Sequence, residues 1–117
     1  MSQTTSENID VLGRARPCSE PCPIERGMRL LGGKWKGSIL WHLNAGPLRF
    51  NALARELGGA SKKMINERLK ELDEAGLVRR EVVSLKPIAV TYELTDFGRS
   101  ALGILESLRD WCEGHGV

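Results

Sequence analysis

Past the polar first residues, apolar residues recur every three to four positions, and between Leu77 and Leu94 the rhythm changes to two. In ASKKMINERLKELDEAG (60–76), Ile65, Leu69 and Leu72 fall at i, i+4 and i+7, one face of a helix. Lys63, Asn66, Glu67 and Lys70 take the opposite face, with Lys62 on its flank. Ser61 suits the N-cap and Gly76 the C′ stop, so the helix is expected over Ser61–Ala75. A shorter helix precedes it, FNALAREL, striped by Phe50, Leu53, Ala54 and Leu57, and Gly58-Gly59-Ala60 supplies the Gly-bearing turn of a helix-turn-helix. Two strand-like runs follow, Leu77–Val83 and Ala89–Leu94, in which Val90, Tyr92 and Leu94 alternate, around a loop holding Lys86 and Pro87. Helix, turn, helix and a basic-tipped hairpin predict a winged helix.

The flanks extend this frame. Cys22-Pro23 opens a first helix, with proline at a position suited to N1, a stripe of Ile24, Met28 and Leu31, and Gly32-Gly33 as its end. A second helix, about Lys34 to Asn44, carries Trp35, Ile39, Leu40 and Leu43 at helical spacing, most simply as core. His42, after Trp41 on that helix, reads as a partly buried structural histidine. Gly46-Pro47 turns the chain into Leu48-Arg49-Phe50, a candidate third strand of the wing. Thr95 caps the last helix, and Asp96 in its first turn favours the positive end of the dipole. Phe97, Ala101, Ile104, Leu105, Leu108 and Cys112 then line one side for about four turns. A small domain has too little core to cover so long a stripe, and a partner helix is expected on part of it. The expected class is α+β and mostly helical: a winged helix-turn-helix domain with a short β-hairpin wing and a long C-terminal helix.

At 117 residues the chain holds one domain and a modest core. Residues 1–17 form a polar arm with little to bury, expected to be flexible, and 18–117 form the domain. The formal charge of +2 says less than its distribution, because Lys62, Lys63, Lys70, Arg79, Arg80 and Lys86 gather on or beside the proposed helix and wing. Arg14 and Arg16 on the arm are further, weaker candidates for phosphate contact. No apolar run approaches a membrane span, and the N-terminus lacks the apolar stretch of a signal peptide, so a cytoplasmic protein is expected. Three cysteines make an odd count, too few for a disulfide scaffold, in keeping with a reduced compartment.

The segments CPIERGMRLLGGKWKGSILWHL, GPLRFNAL, the helix from Ser61, GLVRR and YELTDFGRSAL, in that order and spacing, resemble the HxlR-type regulators from Cys22 to about Trp111. The resemblance implies a bacterial or archaeal winged-helix transcription factor that dimerises through its first and last helices. It also implies a cysteine at position 22, which in some relatives senses oxidants or electrophiles.

Sequence-specific binding of double-stranded DNA is therefore the leading function. On a helix in the major groove, Lys63 can donate to guanine, Asn66 can pair bidentately with adenine, and Glu67 can accept from cytosine N4. Lys62 and Lys70 are placed for phosphate, Ser61 at the helix start joins the DNA-binding set, and Lys86 and Pro87 suit the adjacent backbone or minor groove, with Arg79 and Arg80 at the base of the wing. The alternative is a winged helix used for protein–protein contact, since the same charges also suit a solvated helix face. Cys22 has a route to reactivity, because a helix N-terminus favours thiolate and Arg26 lies one turn on. Oxidised, it has two candidate partners: Cys112 across a dimer, or Cys18 locally. The opposing reading makes Cys22 and Cys112 small buried hydrophobes. Cys18-x3-Cys22 and Cys112-x2-His115 hold zinc ligand types, but their spacings match no zinc signature, and no metal or cofactor is expected. Gly32-Gly33-Lys34 lacks the Walker pattern, and no Ser-His-Asp or Cys-His arrangement has supporting context, so no enzymatic activity is expected.

Overall fold

Ile65, Leu69 and Leu72 are all buried, and the core is built around them. The computed structural model describes residues 22–117; the arm over 1–17, with Arg14 and Arg16, and Cys18 lie outside the described residues. The elements run α1 (Pro23–Leu31), α2 (Lys36–His42) continued by a 3-10 turn (Leu43–Ala45), β1 (Leu48–Arg49), α3 (Phe50–Glu56) and α4 (Lys62–Glu74). They continue with β2 (Val78–Leu85), β3 (Ile88–Leu94), α5 (Asp96–Ser100) and α6 (Leu102–His115). The core stripe of α4 meets Ile39, Leu40 and Leu43 from α2 and its 3-10 turn, Leu53 and Leu57 around α3, and Leu77, Val78 and Leu94 from the sheet. The winged helix expected from the apolar rhythm is the fold observed.

The sheet is antiparallel in the order β1-β3-β2. β1 pairs Leu48 with Tyr92 and Arg49 with Thr91, so the short third strand forms, but it ends there. β2 and β3 stay paired from Val78↔Leu94 out to Leu85↔Ile88, with one irregularity between Val82 and Ser84. Beyond Thr91 the wing is thus a two-stranded ribbon.

Polar contacts tie the helices to one another. Lys36 donates to the Arg29 carbonyl (3.0 Å) and pairs with Glu71 of α4 at 3.7 Å, while Arg68 pairs with Glu71. His42 lies 3.3 Å from a Glu56 carboxylate oxygen, joining α2 to α3, and is half-buried as expected.

Two expectations need correcting. The second helix begins at Lys36, not Lys34, because Trp35 sits in the left-handed region (φ 79°). That conformation costs about 1–2 kcal/mol for a residue other than glycine, offset by the indole packing against the core. The last helix is not one continuous element. The Ser100 hydroxyl donates to the Phe97 carbonyl, and the Ala101 N–H turns to Gly98 O at 3.1 Å, dividing α5 from α6. No residue of α1 is buried: Ile24 of its stripe is 72% exposed, while Leu31 packs partly buried against the core.

Candidate nucleic-acid interface

Ser61 fixes where α4 starts: its backbone is extended, and its Oγ accepts the Met64 N–H at 3.0 Å. The hydroxyl proton stays available to a phosphate oxygen. From that start, Lys62, Lys63, Asn66, Glu67 and Lys70 all emerge exposed, opposite the buried Ile65 and Leu69. None of these five side chains makes a hydrogen bond or ion pair with a described residue. Two other polar side chains of α4 are occupied: Arg68 donates through Nε to Met64 Sδ and pairs with Glu71, which also reaches Lys36. Arg68 and Glu71 thus anchor the helix, whereas these five side chains, and those of the exposed Asp73 and Glu74 in its last turn, have no partner among the described residues. Behind it, Gly76 (φ 82°) stops the helix, and the Leu77 N–H closes the turn on Leu72 O at 2.9 Å.

The wing residues divide by strand face. Directly opposed residues on an antiparallel pair share a face, so Arg79 sits with Glu93 and Arg80 with Tyr92. Arg79 donates through Nε and Nη2 to Glu93 Oε2 at 3.1 and 2.7 Å. This hydrogen bond, followed by the Glu93 charge, pushes its pKa up. Arg80 instead lines a shallow depression with Asn66, Lys70, Asp73 and Tyr92, where wing meets α4. Lys86 and Pro87 form the exposed two-residue turn at the tip. Six of the ten expected residues, Ser61 to Lys70, therefore lie together on α4, and Arg80 joins them. Arg79 is held on the other face, and Lys86 and Pro87 stand apart at the tip. Tyr92 was not among the expected residues; its cross-strand register with Arg80 places it, and register is not written in a single strand's pattern.

The cysteines are separate from this surface. Cys22 is the N-cap of α1 and 6% exposed. Cys112, half-buried on α6, lines an apolar groove of about 620 Å³ with Met28, Trp35, Trp41, Leu105 and Leu108. Arg109 of α6 lies over the Trp41 ring, 5.2 Å from its centroid, holding α6 to α2. His115 is not poised with Cys112 as a ligand pair, since its Nδ1 lies 2.9 Å from Trp111 O. Among the described residues no group of three or more His, Cys, Asp or Glu gathers to hold a metal ion, and no helix is long and apolar enough to cross a membrane.

A helix-turn-helix with an ordered wing and a cationic, unpartnered helix face defines a winged helix-turn-helix of the DNA-binding class. Residues 30–116 match the HxlR-like helix-turn-helix family. The chain is 38% identical over 94 residues to the HTH-type transcriptional regulator YdeP of Bacillus subtilis (strain 168), covering 80% of this chain and 73% of that protein. The redox regulator HypR in its oxidised form superposes with a TM-score of 0.75 at 38% identity, over 80% of this chain and 96% of that one. Reduced YodB of B. subtilis superposes at 0.70 with 34% identity, over 79% and 91%. The chain belongs to the HxlR-like helix-turn-helix family, whose members are transcriptional regulators and bind DNA.

Proposed function

We propose that this protein acts in the cytosol as a homodimeric regulator, each subunit laying α4 in the major groove of one half of a pseudo-palindromic operator. The observation that carries the reading is the sorting of side chains on α4: an apolar face sealed in the core, and five exposed polar residues without a protein partner beside Arg80. Lys63, Asn66 and Glu67 read base edges; Ser61, Lys62, Lys70 and Arg80 hold phosphate. Lys86 and Pro87 approach the flanking DNA, and Arg79 chiefly stiffens the wing through Glu93. Two-fold symmetry sets the half-sites one or more helical turns apart.

Dimerisation is supported by the apolar side chains that the subunit leaves in water. Ile104, Leu108 and Trp111 of α6 are exposed, as are Ile24 and Met28 of α1, and the groove between these helices is apolar. A second copy that packs its own α1 and α6 here removes them from water. Thiol switching of Cys22 by an oxidant or electrophile is the regulatory half of the proposal, supported by the likeness to a redox regulator. Burial of Cys22 means that its surroundings must open before the thiol reacts, and α1, which it precedes, has no buried residue to hold it rigidly.

Selection from a pool of random-sequence duplexes, at several salt concentrations, tests the reading. The expected product is a pseudo-palindrome bound with a steep inverse salt dependence. Asn66→Ala is then expected to relax preference at one position per half-site, losing about 1–3 kcal/mol of discrimination there. A variant that weakened all sequences equally would remove base reading from Asn66. If no duplex were selected, α4 would instead be a protein-contact surface.

A further inference from the structure

The tip of the wing carries side chains that neither the core nor a charged phosphate contact accounts for. Leu85 and Ile88 flank the Lys86–Pro87 turn, oppose each other across the ribbon, and are 78% and 73% exposed. Val82 and Val83 further along β2 are also exposed. A two-stranded ribbon is marginal in water without a covered face, and here the end farthest from the core is the most apolar.

Register shows which way these side chains point. The pairs Val78↔Leu94, Arg80↔Tyr92, Val82↔Val90 and Leu85↔Ile88 follow one another along a single face, the irregularity at Val83 keeping the last pair in phase. At its base this face is sealed in the core by Val78 and Leu94. At its middle, Arg80 and Tyr92 line the depression shared with Asn66 and Lys70 of α4. Its far end is the apolar tip, four residues along β3 from Tyr92, or about 13 Å. With α4 in a major groove, the face that turns towards α4 turns towards the same duplex, and its far end arrives where the minor groove flanks the reading site. Cationic Arg80 and Lys86 bracket the apolar pair, which suits a polyanion whose groove walls are the less polar deoxyribose rings.

We propose that the wing tip is an apolar wedge: Leu85 and Ile88 enter the minor groove beside each half-site and pack against its sugar walls, while Lys86 holds the bordering phosphate. The wedge rests on the DNA-binding reading above and adds to it a minor-groove contact that is apolar in chemistry. Apolar side chains inserted this way partly unstack a base step and bend the duplex. The wing therefore adds preference for deformable flanks, such as TA or CA steps, at positions where no side chain hydrogen-bonds a base.

Leu85→Thr/Ile88→Thr tests this, because threonine keeps strand propensity and both sites are exposed; an unchanged circular dichroism spectrum and thermal midpoint certify the fold. On the duplex selected by the wild type, affinity is expected to fall about tenfold or more, with the salt slope unchanged. Hydroxyl-radical protection of the flanking sugars is expected to vanish, while protection of guanine N7 in the half-sites persists. Lys86→Ala makes the contrast, lowering the slope by about one per subunit. Wild-type affinity and flank protection in the threonine variant would overturn the wedge and leave the regulator standing. An unchanged footprint with altered self-association would overturn it in favour of a protein contact at the tip. Failure of the wild type to select any duplex would overturn both readings together.

Discussion

At the scale of single residues, helix caps were legible and close approaches were not. Ser61 and Thr95 each announce a helix start, and each accepts the N–H three residues on, from Met64 and Gly98. Ser61→Ala is expected to cost about 1 kcal/mol in urea denaturation and Ser61→Asp to restore most of it, since an aspartate oxygen caps as well. A loss of DNA affinity in Ser61→Asp despite restored stability would show the phosphate contact separately, through charge repulsion. Gly98 looks interchangeable with alanine in a helix, yet a Cβ there would meet Leu77 O at 1.9 Å. Gly98→Ala is therefore expected to destabilise by about 3 kcal/mol or more, because backbone rather than a flexible side chain must yield. The signal was absent from the sequence because the constraint comes from the carbonyl of Leu77, just before β2, which the β2–β3 hairpin brings back against the N-terminus of α5. Trp35 is similar: its left-handed backbone follows from where the indole packs, not from its neighbours in the chain.

Among elements, the apolar period gave helices and strands, and with them five residues of α4 that the structure places on one exposed face. It did not give the pairing between strands, and pairing decides what the wing's cations do. Arg79 and Arg80 are adjacent and looked equivalent, but one sits opposite Glu93 and the other opposite Tyr92. Arg80→Ala is expected to lower affinity and reduce the salt slope by about one per subunit, as a lost phosphate contact does. Arg79→Ala is expected to leave the slope nearly unchanged, because Glu93 already neutralises that guanidinium. Equal slopes for the two variants would mean that the ribbon twists enough to present both. The division of the final helix was equally hidden, resting on a hydroxyl of Ser100 that takes the Phe97 carbonyl.

For the molecule as a whole, what remains exposed is as informative as what is buried. The apolar stripe from Ile104 to Cys112 was visible in the sequence as more than one small core can use, and the structure leaves Ile104, Leu108 and Trp111 in water. Ile104→Lys/Leu108→Lys is expected to yield a folded monomer by sedimentation, since neither side chain supports the subunit core, and to abolish preference for a two-fold site. A dimer surviving both lysines would place the interface elsewhere.

In the proposed dimer the same interface would decide the fate of the thiols. Cys22 caps α1 and Cys112 lines the groove between α1 and α6, so a partner packed on these helices brings cysteines of two subunits into one region. Under the proposed switch, two thiols joined there would give up two electrons and two protons to the oxidant, and the bond would fix α1 of one subunit to α6 of the other. Because α4 packs on its own core through Ile65, Leu69 and Leu72, a rotation between the subunits of the proposed dimer would change the spacing of the two α4 helices without deforming them. Mild diamide treatment is thus expected to produce a covalent dimer on non-reducing gels and to weaken binding to the selected duplex. Cys22→Ser and Cys112→Ser should each abolish the cross-link. Loss of DNA binding on oxidation in Cys112→Ser but not in Cys22→Ser would instead assign the switch to Cys22 alone, with Cys18 or a small-molecule thiol as its partner. Binding unaffected by oxidation in the wild type would leave a DNA regulator without a cysteine switch.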